Sequence, residues 1–296
     1  MTSGQELAAW YDQAKQKAIA FDISLAEVDW LLQEVAELDN LSLRLELFKE
    51  RSQIPLKRSL SELNQLWERR LSERLPVQYL LGSTSWRHFS LTVSPNVLIP
   101  RPETEMLIDL AEMAVKEKGD LSLQSGHWAD LGTGSGAIAL GLAEVFPAAQ
   151  IHAVDASQTA LEIAQENAKR LGFTERIDFH YGSWWQPLEA FKGQIHGMVS
   201  NPPYIPTELI PHLQPEVVKH EPHSALDGGK DGLDCIRHLI QTSPDYLRPD
   251  GVWLIEMMAG QAEKVAQLLE ENGSYRQIQI FPDLAGIERF ALAYKC

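Results

Sequence analysis

From about residue 106 to the C-terminus, short apolar runs alternate with amphipathic segments that are long enough to be helices. The runs that we predict as strands are HWADLG, IHAVD, IDFHYG, GMVS, GVWLIEM, YRQIQIF and ERFALAYK. Strands separated by helices indicate a parallel sheet with helices on both faces. The last two strands are joined by only a few residues, so they must pair antiparallel, because a parallel crossover needs a dozen residues or more. The pattern predicts an α/β fold with seven strands.

The N-terminal part, residues 1–75, has a helical pattern instead. Leu7, Trp10, Tyr11, Ala14 and Ala18 recur on one helix face. Ser24 with Glu27, and Ser59 with Glu62, have the spacing of capping boxes. The run LSLRLEL at 41–47 alternates like a strand, although we assign it to the helical region. We therefore expect a small helical bundle domain over 1–75 that recognises the substrate.

Residues 76–105 differ from both neighbours. The β-branched run LTVSPNVLIP contains an SPN turn signal at 94–96, which suggests a short hairpin. We predict three regions: the helical domain at 1–75, a β-hairpin linker at 76–105 and the α/β domain at 106–296.

Charge and composition exclude several classes of protein. The formal net charge is −15, and most of it lies in residues 101–296, which argues against DNA or RNA as the main partner. The two cysteines, Cys235 and Cys296, form no metal motif and suit a reducing compartment. The nine histidines show no ligand spacing, so we assign no metal site. Without a signal peptide or a membrane-spanning run, we expect a soluble cytoplasmic protein.

A glycine-rich turn follows the first strand of the α/β region, in ADLGTGSGAIAL. Gly132, Gly134 and Gly136 permit a tight turn and let a ligand approach the N–H groups at a helix N-terminus. Asp155, 23 residues after Gly132, ends the next strand, where a carboxylate can accept both hydroxyls of a ribose. These features suit either NAD or S-adenosylmethionine, and a turn without a ligand is the alternative. The D-x-G-x-G-x-G spacing resembles the first motif of Rossmann-like S-adenosylmethionine-dependent methyltransferases.

The segment VSNPPYIP at 199–206 follows another buried strand. Neither proline has an N–H to donate, so the segment is a stiff loop whose carbonyls are available as acceptors. The Asn201 side-chain oxygen and the Pro202 carbonyl can accept the two N–H bonds of an NH₂ on an sp² carbon, with Tyr204 against the planar group. A proline-rich loop without a chemical role is the alternative. NPPY resembles a motif of methyltransferases that act on planar amines, which include adenine in nucleic acids and glutamine in proteins.

Further segments decide between these substrates. PVQYLLG (76–82), LIPRPETE (98–105), DLGTGSGAIAL, VSNPPYI and HEPHSALDGGKDGLDCIRHL (220–239) resemble, almost end to end, the HemK/PrmC family of peptide chain release factor N5-glutamine methyltransferases. The resemblance implies a Rossmann-like seven-stranded domain preceded by a small helical bundle domain. It also implies methyl transfer from S-adenosyl-L-methionine to the glutamine of the Gly-Gly-Gln motif of class I release factors. The partner is then a release factor, with no direct nucleic acid contact and no membrane, and we expect a monomer.

The resemblance also implies roles for individual residues. The cofactor site would comprise Gly132, Thr133, Gly134, Ser135, Gly136, Asp155, Trp184 and Asn201. Asn201, Pro202, Pro203 and Tyr204 would surround the glutamine amide, and we assign catalysis to Asn201, Pro202 and Tyr204. Arg101 and Glu103 would shape the methionine end of the site, or they form a surface cap.

The chain departs from the family pattern at two positions. Ser183 stands where many methyltransferases carry an acid that binds adenine, so that adenine recognition passes to Ser183 or Trp184. Met258 replaces a usual glycine and is expected to alter its loop, and we assign Glu256 no catalytic role. The rival functions are an adenine methyltransferase that acts on DNA or RNA and a catalytically silent cofactor-binding module.

Overall fold

The computed structural model describes residues 1–36 and 38–296, and the chain divides into two compact units. One unit comprises residues 1–81 and 215–220, and the other comprises residues 82–214 and 221–296. The first unit therefore takes a short segment from far along the chain.

The first unit is helical, as its sequence pattern predicts. Its helices from the N-terminal region are α1 (Gly4–Ala20), α2 (Leu25–Ala36), α3 (Asn40–Arg44), α4 (Leu60–Glu73) and α5 (Val77–Leu81), with a 3₁₀ turn at Leu47–Glu50. The predicted apolar face of α1 is buried. The strand-like run 41–47 forms α3 and the start of the 3₁₀ turn, which confirms its helical assignment.

One of the two predicted capping boxes forms. Ser59 and Glu62 cap α4 reciprocally, each bonding the backbone N–H of the other. At the start of α2, by contrast, the Glu27 carboxylate binds the buried Arg70 guanidinium, at 2.5 and 2.8 Å. Arg70 also pairs with Glu216, at 2.8 Å. A buried guanidinium requires carboxylate partners, so Glu27 binds Arg70 instead of capping the Ser24 N–H.

The second unit contains the nine strands found among the described residues and most of the later helices. Its strands are β1 (Ser83–Trp86), β2 (Phe89–Thr92), β3 (His127–Leu131), β4 (Gln150–Asp155), β5 (Ile177–Tyr181), β6 (Ile195–Ser200), β7 (Leu247–Glu256), β8 (Tyr275–Pro282) and β9 (Glu288–Lys295). The later helices are α6 (Met106–Lys118), α7 (Ala137–Val145), α8 (Gln158–Leu171), α9 (Pro215–His220, in the first unit), α10 (Asp234–Thr242) and α11 (Ala262–Asn272).

The main sheet has seven strands in the order β5-β4-β3-β6-β7-β9-β8. The pairs from β5 to β7 are parallel, while β9 pairs antiparallel with both β7 and β8, which confirms the predicted α/β fold. Residues of α6 and α7 pack into the core on one face, and residues of α10 and α11 pack on the other. β3 lies between β4 and β6, so the strand order reverses there, where open α/β sheets bind their ligands.

The hairpin in the linker region is real, but its turn is not at the SPN signal. β1 and β2 pair with Trp86 opposite Phe89, so Arg87 and His88 form the turn. Arg87 takes a φ of +50°, and its backbone N–H donates to Glu105 Oε1 at 2.7 Å. A turn held by such a distant contact lacks the glycine or asparagine that marks hairpin turns in a sequence. Among the described residues, no helix is long and apolar enough to cross a membrane.

Candidate active site

A cavity of about 420 Å³ lies beyond the carboxyl ends of β3, β4, β5 and β6, at the point where the strand order reverses. Its lining includes six of the residues that the sequence singles out: Gly132, Gly134, Asp155, Trp184, Asn201 and Pro203. The structure thus brings the glycine-rich turn and the NPPY segment to one cavity, although they are separated by some 65 residues. A volume of this size is typical of small-molecule sites.

The glycine-rich turn has backbone angles that favour glycine. Gly132, Gly134 and Gly136 have φ values of +80°, +55° and +85°. A Cβ on Gly134 would meet no atom within 4 Å, so the backbone there is open to the cavity. A Cβ on Gly136 would lie 3.1 Å from the Ala164 Cβ, so this glycine is needed for close helix packing.

Thr133 and Ser135 are buried and hold the turn together. The Thr133 hydroxyl donates to Asp130 Oδ2 at 2.6 Å, and the Ser135 carbonyl accepts from the Asn167 amide at 2.9 Å. Neither residue lines the cavity. Their contacts therefore shape the backbone that faces a ligand.

Asp155 presents its carboxylate at the end of β4. Oδ2 accepts from the Gly134 N–H at 2.9 Å, and Oδ1 accepts from the Ser157 N–H at 2.8 Å. Burial raises the pKa of Asp155, although these two hydrogen bonds oppose the shift. A carboxylate has about four acceptor sites, so two remain for ligand hydroxyls. With the open backbone at Gly134, this arrangement fits the ribose and methionine parts of the expected cofactor.

The residues after β5 form another wall of the cavity. Ser183 and Trp184 both line it, together with Gly182, whose N–H donates to the Asp155 carbonyl at 3.0 Å. Trp184 has a φ of +50°, a conformation that costs free energy for a bulky side chain and clusters at functional sites. The indole is therefore held in place beside the cavity.

Behind the NPPY segment lies a chain of hydrogen bonds that the sequence did not reveal. The Asn201 amide donates to Thr104 Oγ1 at 3.1 Å, and the Thr104 hydroxyl donates to Glu256 Oε2 at 2.7 Å. The Tyr204 hydroxyl donates to the other oxygen of Glu256, at 3.0 Å. Burial raises the pKa of Glu256, and its two hydrogen bonds oppose that shift. Glu256 therefore links both ends of the motif.

The direction of these bonds fixes the orientation of the Asn201 amide. A hydroxyl has a single hydrogen, and that of Thr104 is donated to Glu256 Oε2. The Thr104 oxygen must then accept from Asn201, which turns the Asn201 nitrogen toward it. The Asn201 carbonyl oxygen is left as the acceptor that a ligand can use.

The rest of the motif is held by Gln261, the N-cap residue of α11. The Gln261 amide donates to the Tyr204 carbonyl at 3.0 Å, and Gln261 Oε1 accepts from the Met258 N–H at 2.9 Å. Met258 does not take a positive φ, so this loop needs no glycine at that position. Among the described residues, none donates a hydrogen bond to the Pro202 carbonyl.

Arg101 and Glu103 do not line the cavity. Arg101 donates to the buried Glu221 at 2.6 Å, and the Trp86 indole donates to the Arg101 carbonyl at 3.1 Å. Glu103 is exposed, while its neighbour Thr104 is buried. Thr104 is thus the residue of LIPRPETE that takes part in the Asn201 network. The sequence indicated it only indirectly, because it lies in a segment that resembles the family.

Other lining residues were also missed. They come from the segment after the hairpin and from the loop after α9, and they are Pro95, Asn96, Val97, Leu98, Pro222, Ser224 and Ala225. The SPN sequence does form a turn, in which the Val97 N–H donates to the Ser94 carbonyl at 3.0 Å, and its Pro95 and Asn96 are part of the cavity wall.

Comparison with known proteins agrees with this geometry. Residues 108–280 match the model of the methyltransferase small domain family, which covers more than half of the chain. The solved hMettl16 catalytic domain, in complex with the MAT2A 3'UTR hairpin 1, is 14% identical and covers 96% of this chain and 90% of its own, with a TM-score of 0.56. At this identity the likeness concerns the fold alone. The fold and the site define a Rossmann-like methyltransferase.

Curated relatives show to which family of methyltransferases the chain belongs. A protein of Synechocystis sp. named release factor glutamine methyltransferase is 55% identical over 98% of this chain and 97% of its own length. Relatives of the same name from Thermosynechococcus vestitus and Gloeobacter violaceus are 46% and 43% identical, also over 98% of this chain. The chain belongs to the family of release factor glutamine methyltransferases.

Proposed function

We propose that this protein transfers a methyl group from S-adenosyl-L-methionine to the side-chain amide nitrogen (N5) of the glutamine in the Gly-Gly-Gln motif of class I peptide chain release factors. The observation that carries the proposal is the oriented Asn201 amide, held through Thr104 by the buried Glu256 carboxylate. The names of relatives that match along almost their whole length support the same substrate.

The cofactor is held by the turn after β3 and by the end of β4. Gly132 and Gly134 let the methionine part approach the backbone, Asp155 accepts the ribose hydroxyls, and Trp184 packs against the adenine, with Ser183 at its edge. Thr133, Ser135 and Gly136 keep the turn in shape. When bound, S-adenosylmethionine supplies a methyl group on a sulfonium, whose carbon–sulfur bond breaks toward sulfur as the new carbon–nitrogen bond forms, leaving S-adenosyl-L-homocysteine.

The NPPY segment positions the amide nitrogen that is methylated. An amide NH₂ is a poor nucleophile because its lone pair is delocalised into the carbonyl. The Asn201 oxygen and the Pro202 carbonyl accept its two N–H bonds, which stabilises the positive charge that develops on nitrogen and aims the lone pair at the methyl group. Pro203 stiffens the loop, and Tyr204 lies against the planar amide. One N–H proton then leaves to water.

The helical unit binds the release factor. Within the described residues it exposes several large apolar side chains, which are typical of protein-binding surfaces. They are Ile19, Phe21, Leu25, Leu41, Leu45 and Leu47. A chain of net charge −15 suits a basic, ribosome-binding partner and opposes direct contact with nucleic acid, as expected of a cytoplasmic monomer acting on translation factors.

The test is mass spectrometry of a purified release factor incubated with the enzyme and methyl-labelled S-adenosylmethionine. We expect one added methyl on the glutamine of Gly-Gly-Gln, and none on a release factor that carries Gly-Gly-Ala. The Asn201→Ala enzyme should bind the cofactor and leave the release factor unlabelled. Label on added DNA or RNA instead would establish the adenine methyltransferase, and no label anywhere would establish the silent module.

A further inference from the structure

Three histidines from neighbouring strands lie in a row on one face of the sheet. His127 begins β3, His152 lies within β4 and His180 lies near the end of β5. His127 Nδ1 is 2.9 Å from His152 Nε2, and His152 Nδ1 is 3.1 Å from His180 Nε2. Both nitrogens of the central imidazole thus face another imidazole.

A carboxylate completes this cluster. Asp178 precedes His180 by two residues on β5, so the two side chains point to the same face. Asp178 Oδ2 lies 3.7 Å from His152 Nδ1. One donor atom from each of His152, Asp178 and His180 lies within 4.8 Å of the other two.

This spacing matches that of ligands around one metal ion. Zinc bonds of about 2.0–2.1 Å at tetrahedral angles place ligand atoms about 3.3 Å apart. The separations of 3.1 and 3.7 Å from His152 Nδ1 bracket that distance, and the Asp178 and His180 ligand atoms lie within 4.8 Å of each other. Two imidazoles with one carboxylate suit zinc and neighbouring divalent transition metals rather than magnesium or calcium.

We propose that His152 Nδ1, His180 Nε2 and the Asp178 carboxylate bind one divalent transition-metal ion of the zinc class. His127 accepts a hydrogen bond from the Nε2–H of His152 and so directs Nδ1 toward the ion. Water occupies the fourth position, because three protein ligands leave a tetrahedral site open.

Burial and access both suit such a site. His152 is only 1% exposed and packs against the Phe191 ring, with 4.3 Å between the ring centroids. The Asp178 side chain is 53% exposed, which gives an ion a path from solvent.

The position in the sheet gives the ion a structural role. β5 is an edge strand that pairs only with β4 in the sheet, and the ion would join the two strands through their side chains. β5 leads directly into Gly182, Ser183 and Trp184, which line the cavity. We therefore expect the ion to raise the melting temperature and to tighten cofactor binding modestly, while methyl transfer itself needs no metal.

The experiment is a zinc titration of the full-length, tag-free protein after chelator treatment, followed by calorimetry, with cobalt as a spectroscopic probe. We expect one ion per chain and the visible absorption of four-coordinate cobalt. His180→Ala and Asp178→Asn should each weaken zinc binding at least about tenfold, whereas His212→Ala, at an exposed histidine outside the cluster, should not. Retained cofactor binding shows that each variant is folded.

Two results would overturn the proposal. One is that the wild-type protein takes up no zinc or cobalt after chelator treatment. The other is zinc binding of equal affinity in wild type, His180→Ala and Asp178→Asn, because the ion would then lie elsewhere. Since these readouts do not involve a release factor, they stand apart from the methyl-transfer test.

Discussion

The two ends of the cavity are built in different ways. At the end proposed to hold the cofactor, the turn that contains Gly132 and Gly134 presents backbone groups, and the partner carboxylate of Asp155 comes from the next strand along the chain. The end proposed to hold the substrate is formed by side chains, and Asn201 depends on Thr104 and Glu256, which lie 97 and 55 positions away in the sequence. A backbone site can be recognised from a local motif. A side-chain network can be recognised only after the chain has folded.

The largest expected effect comes from the substrate end. Asn201→Ala removes the oriented acceptor, and we expect kcat to fall about 10²–10³-fold, the usual effect of losing one preorganised polar group. The dissociation constant of S-adenosylmethionine should change far less, because the backbone of the glycine-rich turn remains. Single-turnover kinetics and calorimetry measure the two quantities. Asn64→Ala, at an exposed position on α4, is the matched control, and a variant at position 201 with wild-type kcat would remove Asn201 from the chemistry.

Glu256→Gln should have the next largest effect, although Glu256 touches neither substrate nor cofactor in this proposal. The glutamine amide accepts one hydroxyl hydrogen and donates on its other side, so Thr104 and Tyr204 cannot both keep their bonds. Turning Thr104 around would also turn the Asn201 amide. We expect kcat to fall about 10–100-fold, the equivalent of about 1.5–3 kcal/mol, with the cofactor KM unchanged.

A pair of threonine variants sharpens this test. Thr104→Val removes the link to Asn201 and should lower kcat to a similar extent, whereas Thr84→Val, at a buried threonine on β1, should not. Glu256→Gln and Thr104→Val should be non-additive when combined, since both break one network. Additive losses of kcat would show that the two residues act independently, so that Glu256 does not act through Thr104.

At the cofactor end, Asp155→Asn should change binding rather than turnover. The amide oxygen can still accept one backbone N–H, but the charged acceptor for the ribose is lost. We expect the affinity for S-adenosylmethionine to fall about tenfold or more, with kcat at saturating cofactor much less affected. Equilibrium dialysis measures the affinity for S-adenosylmethionine, and Asp109→Asn, on the surface of α6, is the control. If kcat in Asp155→Asn falls as far as in Asn201→Ala, it is wrong that one end of the cavity governs cofactor binding and the other governs turnover.

The smallest expected effect on turnover concerns Asp130, which lies beneath the glycine-rich turn and acts on stability instead. Complete burial raises its pKa from 3.8 to about 7, and Oδ1 has no hydrogen-bond partner among the described residues. Since the folded state holds the proton more tightly than the unfolded state, this contribution to stability is present below pH 4 and is lost as the pH rises through 7. Asp130→Asn should remove this loss, which a pKa raised from 3.8 to about 7 makes on the order of 4 kcal/mol. Urea unfolding from pH 4 to 8 measures the difference in the free energy of unfolding between Asp130→Asn and the wild type. This difference should grow with pH, and a difference that stays constant would contradict the raised pKa of Asp130.

Much of the fold followed from periodicity. All seven strands of the sheet were predicted, because buried parallel strands are short apolar runs bounded by turns. The hairpin turn was misplaced, because Arg87 takes a positive φ that Glu105 supports from a distance. The short helix α9 was also missed, since Glu216 is held by Arg70 of the helical unit. Both the hairpin turn and α9 are thus stabilised by contacts with residues that are distant in the sequence.

The sequence by itself determined the class of fold, the glycine-rich turn, Asp155 and the NPPY motif, because each depends on residues that are close in the chain or on the succession of strands and helices along it. Only the tertiary structure showed that Glu256 and Thr104 orient Asn201, and that His152 meets His180 and Asp178. Side chains on different strands meet through sheet order and register. Those depend on the packing of the whole domain, and no single segment specifies them.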